Sequence, residues 1–142
     1  MATEYLCRRL TQRNRLKEWL YMKRDMDLVR KILLAFEESE KSGSISYLEI
    51  DGYPKETINH HREIMCDAGL LEAIYHPRPA IQPEIIAYRI TWFGHDFLDA
   101  CRDENRWKQA KEVGVKIGGF TLDVLKQVLT QIMLSQVKQV MG

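Results

Sequence analysis

The chain has 142 residues, a formal net charge of +1, 45% hydrophobic and 29% charged residues. That length buries a core of its own in one domain, and the composition is that of an ordinary globular protein. No apolar run nears the roughly 18 residues that span a bilayer, no apolar stretch near the start reads as a secretory signal, and Cys7, Cys66 and Cys101 are too odd in number and too far apart for a disulfide framework, so reduced thiols in a cytoplasmic protein are expected.

The small net charge conceals an asymmetry. Residues 1–24 carry Arg8, Arg9, Arg13, Arg15, Lys17, Lys23 and Arg24 against Glu4 and Glu18, a surplus of +5, and the remainder of the chain is −4. Leu6, Leu10, Leu16, Trp19 and Leu20 recur among these arginines at loosely helical spacing. Residues 1–21 are therefore read as a basic, helical N-terminal extension that docks on the body or contacts an anionic partner. A natural start at Met22 is a further reading.

Asp27 is the expected N-cap of a first helix, whose apolar face holds Leu28, Val29, Ile32, Leu33, Ala35 and Phe36. Ser42-Gly43-Ser44 should end it, and "SISYLEIDGYP" reads as a short strand or extended segment around Ile45, Tyr47 and Ile50, with a turn at Asp51-Gly52. Pro54 suits the start of a second helix in which Ile58, His61, Met65, Ala68 and Leu71 face inward, closed by Gly69 in a left-handed conformation. "LLEAIYH" and "IIAYRIT" then read as two strands around the Pro-rich loop "PRPAIQPE".

"RITWFGHDFLDACRDENRW" passes at once from strand to helix. Thr91 should cap that helix, Trp92, Phe93, Phe97, Leu98 and Cys101 should mark its apolar side, and Gly94 should lie close against the neighbouring strand. Asp103, Glu104 and Arg106 should face solvent while Trp107 packs. Gly114, Gly118 and Gly119 read as a hinge before a long amphipathic helix over 121–141, with Leu122, Leu125, Val128, Leu129, Ile132, Met133, Val137 and Val140 on a wide apolar face. The expected division is an extension at 1–21, a folded domain at 22–112, and a hinge with the C-terminal helix at 113–142.

The order helix, short strand, helix, strand, loop, strand, helix predicts an α+β fold: a winged helix-turn-helix-like domain with a long C-terminal amphipathic helix. The blocks "MKRDMDLVRKILLAFEE", "INHHREIMCDAGLLEA" and "ITWFGHDFLDACRDENRWKQAK" resemble a family of unknown function found in bacteria, prophages and phages, whose members look like winged-helix domains. The resemblance runs from Met22 to about Leu129. It implies a fold and a phage or prophage setting, and no chemistry.

Nothing in the residues assigns catalysis, a cofactor or a metal. His60 and His61 are adjacent and point about 100° apart on a helix. Glu56 and His60, four apart, can share one face, but Cys66 is too far around the helix to help, and His76, His95 and Cys101 would have to converge to build a three- or four-ligand site. His61 reads as a core histidine bonded to backbone. His95-Asp96 comes without a nucleophile motif or a phosphate loop. A non-enzymatic protein is expected.

As a recognition helix, the second helix would offer Lys55, Asn59, His60 and Arg62 to double-stranded DNA, and the wing would add Arg78. Glu56 and Glu63 on the same face oppose phosphate binding, and a polar solvated face explains these residues as well. The alternative is a protein-interaction module that modulates a host or phage protein. In the C-terminal helix, Leu125, Val128, Leu129, Ile132 and Met133 are the candidate oligomer interface of a homodimer, or else the face that packs back on the chain's own body.

Overall fold

The computed structural model describes residues 23–40, 48–75 and 85–142. The expected N-terminal helix, the strand residues Ile45 and Tyr47, the Ser42-Gly43-Ser44 stop and the Pro-rich loop with His76 and Arg78 lie outside the described residues. Among the described residues there are five helices and one hairpin: α1 (Met26–Glu40), α2 (Lys55–Asp67), β1 (Leu71–Tyr75), β2 (Ile85–Ile90), α3 (Trp92–Cys101), α4 (Glu104–Ile117) and α5 (Leu122–Met141). The strands pair antiparallel from Leu71↔Ile90 to Tyr75↔Ile85, with a bulge at the far end. The fold is α+β, as the element order predicts.

Helix α1 is central. Leu28, Val29, Ile32, Leu33 and Phe36 are buried against Ile58 and Met65 of α2, Tyr88 and Ile90 of β2, and Phe97 and Leu98 of α3. The rings of Phe36 and Tyr88 meet edge to face, 6.3 Å between centroids. The N-cap of α1 is Asp25, not Asp27: Asp25 Oδ1 accepts the N–H groups of Asp27 (2.9 Å) and Leu28 (3.2 Å). Asp27 instead accepts from Trp107 Nε1 (2.7 Å) and pairs with Lys111. Burial raises its carboxyl pKa, but the Trp107 bond and Lys111 outweigh this and hold the group below the ordinary carboxylate value.

Leu48–Ile50 is not a strand in the structure. Leu48, Ile50 and Tyr53 rest on the core, and the turn at Asp51-Gly52 places Gly52 at φ 86°. Helix α2 ends as expected, with Gly69 at φ 78°. Ala68, expected inside, is exposed, because the chain turns off the helix there.

The strand-to-helix corner answers to geometry. The Thr91 hydroxyl accepts from the Gly94 N–H (3.0 Å) and donates to the Gly69 carbonyl, and the Thr91 N–H donates to Leu70 O (3.1 Å). One residue thus caps α3 and ties it to the start of β1. Gly94, Phe97, Leu98 and Cys101 form the buried face of α3. Trp92 departs from expectation: it is 85% exposed. Two residues before Gly94 it lies about 200° around the helix, away from the core.

The segment read as one helix through Trp107 breaks at Arg102-Asp103. The Asp103 side chain caps α4 by accepting the Arg106 N–H (2.8 Å). The carbonyls that α3 leaves unpaired at its end are taken by two arginines. Arg30 donates from Nε to Cys101 O (2.7 Å) and from Nη2 to Arg102 O (2.8 Å), while Arg106 donates to Ala100 O (3.0 Å) and Asp99 O (3.1 Å). Arg106, expected in solvent, is half-buried for this reason, and it also reaches Gln136 of α5 at 3.1 Å.

The hinge is shorter than the glycines suggest. Gly114 lies inside α4, where a Cβ would come within 2.7 Å of Phe120 Cδ1. Its missing side chain admits the Phe120 ring, so the expected boundary at 112/113 falls within a helix. The turn itself is Gly118-Gly119, with Gly118 at φ 75°.

Candidate nucleic-acid interface

The outward side of α2 carries Lys55, Glu56, Asn59, Glu63 and Asp67, all exposed, with His60 and Arg62 half-buried beside them. These positions stand clear because Ile58, His61 and Met65 turn the opposite face into the core. Three carboxylates therefore accompany Lys55. Arg62 is committed within the chain: its Nη2 donates to Asn59 Oδ1 and its guanidinium lies 4.8 Å from the Tyr88 ring centre. Its Nε is buried with no hydrogen-bond partner among the described residues. Lys55, Asn59, His60 and Arg62 share one helix surface as expected, and Arg78 lies outside the described residues.

An apolar groove of about 310 Å³ runs beside this face, lined by Met26, Val29, Ile64, Met65, Leu70 and Leu122, with Arg24 and His60 at its polar edges. Arg24 thus stands next to α2. Its Nη2 reaches the Phe120 carbonyl at 3.5 Å. The sequence counts Arg24 in the basic segment 1–24, at the start of the folded domain, and carries no local signal for this neighbour, which lies 96 residues away.

His61 anchors the arrangement and is fully buried. Its Nδ1 lies 2.8 Å from Thr57 O, and its Nε2 accepts the Asp25 N–H at 2.9 Å. This pattern requires the neutral ring with the proton on Nδ1. Burial lowers its pKa and the positive charge of His60 lowers it further, against opposing effects of the Thr57 bond and Asp25. A lowered folded-state value means that the stabilisation is complete above the unfolded value of about 6.5 and is lost as pH falls through the folded value. Denaturant midpoints should drop as pH falls below about 6.5, and His61→Leu should flatten that dependence and cost about 1–2 kcal/mol at pH 8 by orphaning the Asp25 N–H. A wild-type midpoint constant from pH 7 to 5 would contradict this role.

Among the described residues no three His, Cys, Asp or Glu side chains come together to hold a metal ion. Burial pushes the Cys101 thiol up to about 12, so it is a core residue and no nucleophile. His95 and Asp96 are exposed on the first turns of α3. No helix among the described residues is long and apolar enough to cross a membrane.

The named oligomer face is divided by the structure. Leu125 and Leu129 are fully buried in the chain's own core. Val128 and Ile132 are half-buried against the same core, and Met133 is half-buried. The apolar residues left exposed are later ones, Leu134, Val137, Val140 and Met141. Helix α5 reaches α4 through the Arg106–Gln136 bond; Leu134 lies two residues before that point, and Val137, Val140 and Met141 lie beyond it.

The model of a family of hypothetical proteins, DUF2513, matches residues 23–121. A protein of Haemophilus influenzae described as an uncharacterized protein is 38% identical over 117 residues, which cover 81% of this chain and 98% of the relative. No solved structure gives a significant match. The family match runs from just before α1 to the cap of α5 and takes in the whole α1–α4 body, and the chain belongs to the DUF2513 family.

Proposed function

We propose that the protein is a non-enzymatic, winged-helix-like DNA-binding regulator. Helix α2 is its recognition helix, and the loop between β1 and β2, which contains Arg78, is its wing. The order α1, α2, hairpin, α3 supports the architecture. The phage or prophage setting rests on the sequence resemblance alone. The observation that carries the DNA reading is the position of Arg24, which shares a groove with His60. Arg24 thereby brings positive charge to the edge of α2, and on this reading the basic N-terminal segment supplies the phosphate neutralisation that Glu56, Glu63 and Asp67 deny to that helix. Asn59 is the base-reading residue on this view, held in place by Arg62.

The test is binding of the full chain to duplex fragments of the source genome at low and near-physiological salt. Fragment-selective binding is expected, and Asn59→Ala should remove about 1–3 kcal/mol of discrimination at one base position. Equal binding to all fragments would overturn the reading. A second reading, a module that binds a partner protein, is favoured by the three exposed carboxylates on α2. It expects Glu56→Lys with Glu63→Lys to abolish a protein complex and leave DNA binding unaltered or stronger.

A further inference from the structure

The acidic face of α2 raises the question of where phosphates would be held. Two shallow depressions adjoin each other on the far side of Arg24 and share Lys111 and Phe120. Lys23, Arg24, Asp25, Met26 and Asp27 complete the first, and Lys108, Glu112, Val115 and Lys116 complete the second. The basic groups Lys23, Arg24, Lys108, Lys111 and Lys116 thus face Asp25, Asp27 and Glu112. Two of these acids are occupied internally. Asp25 caps α1 and accepts from Tyr53 Oη (3.1 Å), and Asp27 is held by Trp107 and Lys111. Lys108 and Lys116 are exposed and have no ion-pair partner among the described residues.

We infer that this surface, from Lys23 and Arg24 across Lys111 to Lys108 and Lys116, is the phosphate-binding track for duplex DNA, and that α2 contributes base contacts and little of the charge. The inference rests on the DNA-binding reading and deepens it. Arg24 belongs to both surfaces, since it also borders the α2 groove, so one duplex can touch the two together. Lys116 follows Lys108 by eight helical steps, a rise of about 12 Å, enough to reach more than one phosphate of a strand. Phe120 fixes the geometry: its ring sits on Gly114 and its carbonyl receives Arg24, which holds the end of α4 beside the start of the body.

The experiment titrates the full chain and the double variant Lys108→Ala/Lys116→Ala with duplex fragments over a series of salt concentrations. Thermal melts confirm that the variant is folded. Loss of two phosphate contacts should reduce the slope of log K against log salt by about 1.8, with the order of preference among fragments unchanged. An unchanged slope, with selective binding retained, overturns the track and leaves the α2 reading standing. Non-selective binding by the wild type with the reduced slope in the variant supports the track and removes α2 as reader. No binding of the wild type to any duplex overturns both. Binding to phosphatidylserine vesicles that the variant loses, with no change in the duplex slope, assigns the surface to lipid and overturns the track.

Discussion

Arg30→Met is expected to destabilise the fold by about 3–4 kcal/mol, a fall of roughly 10 °C in melting temperature for a chain of this size. Arg30 is 7% exposed and sits on the central helix. Its guanidinium caps the end of α3 through Cys101 O and Arg102 O, reaches Glu104 Oε1 at 3.1 Å and lies 5.8 Å from the Trp107 ring centre. It therefore joins α1 to both sides of the α3–α4 break, with its positive charge at the negative end of the α3 dipole. Methionine fills similar space but leaves two carbonyls without donors, one of them on a fully buried residue. Arg30→Lys should recover only part of the loss, because an ammonium cannot present the planar fork that serves both carbonyls. Glu104→Gln separates the ion pair from the cap. The Glu104 side chain is 71% exposed, and that change should cost under about 0.5 kcal/mol. Chemical denaturation of the three variants decides it. An Arg30→Met loss below about 1 kcal/mol, or a Glu104→Gln loss of equal size, would show that the carbonyl bonds are not what holds the break.

Gly94→Ala should cost about 3 kcal/mol, although alanine is the better helix former by about 1 kcal/mol. The added methyl would press into the Leu70 carbonyl oxygen and come within 2.8 Å of Ile90 Cγ2. Neither neighbour is free to retreat. Leu70 O is bonded to the Thr91 N–H, and Ile90 is 3% exposed and paired with Leu71 across the hairpin. Relief requires α3 to lift from β1, which breaks the Thr91 bonds to Gly69 and Leu70. Gly119→Ala is the control, since nothing lies within 4 Å of its Cβ position, and it should be near neutral. A Gly94→Ala protein more stable than wild type would mean that the corner is looser than described.

Much of this was legible locally. Repetition every three or four residues marked the buried sides of α1, α2 and α5. The alternation and the prolines marked the hairpin, and Thr91 and Gly94 read correctly as cap and close contact. His61 was identified as a core histidine with backbone partners, because it occupies the apolar stripe between Ile58 and Met65. Arg30 carried the same signal: it falls four residues after Met26 and three before Leu33, on the buried side of α1. The misread residues were those with two roles open to them. Asp25 and Asp27 are both good caps, and the choice depended on Trp107 and Lys111, some 80 residues away. Gly114 could free a backbone or admit a ring, and Phe120 decided for the ring.

The candidate site was less legible than the fold for the same reason. Lys55, Asn59, His60 and Arg62 follow from the periodicity of α2, because residues that avoid the core must share the opposite face. That Arg62 would also be spent on Tyr88, or that Arg24 would stand beside His60 and Phe120, could not follow from any window of sequence. The sequence by itself determined α1, α2, α5 and the hairpin, with most of the faces they bury, since local spacing and turn chemistry act within a few residues. The tertiary structure alone decided which half of α5 is covered, which arginines cap α3 and where positive charge collects. Those outcomes depend on which surfaces remain after packing, and packing joins residues from opposite ends of the chain.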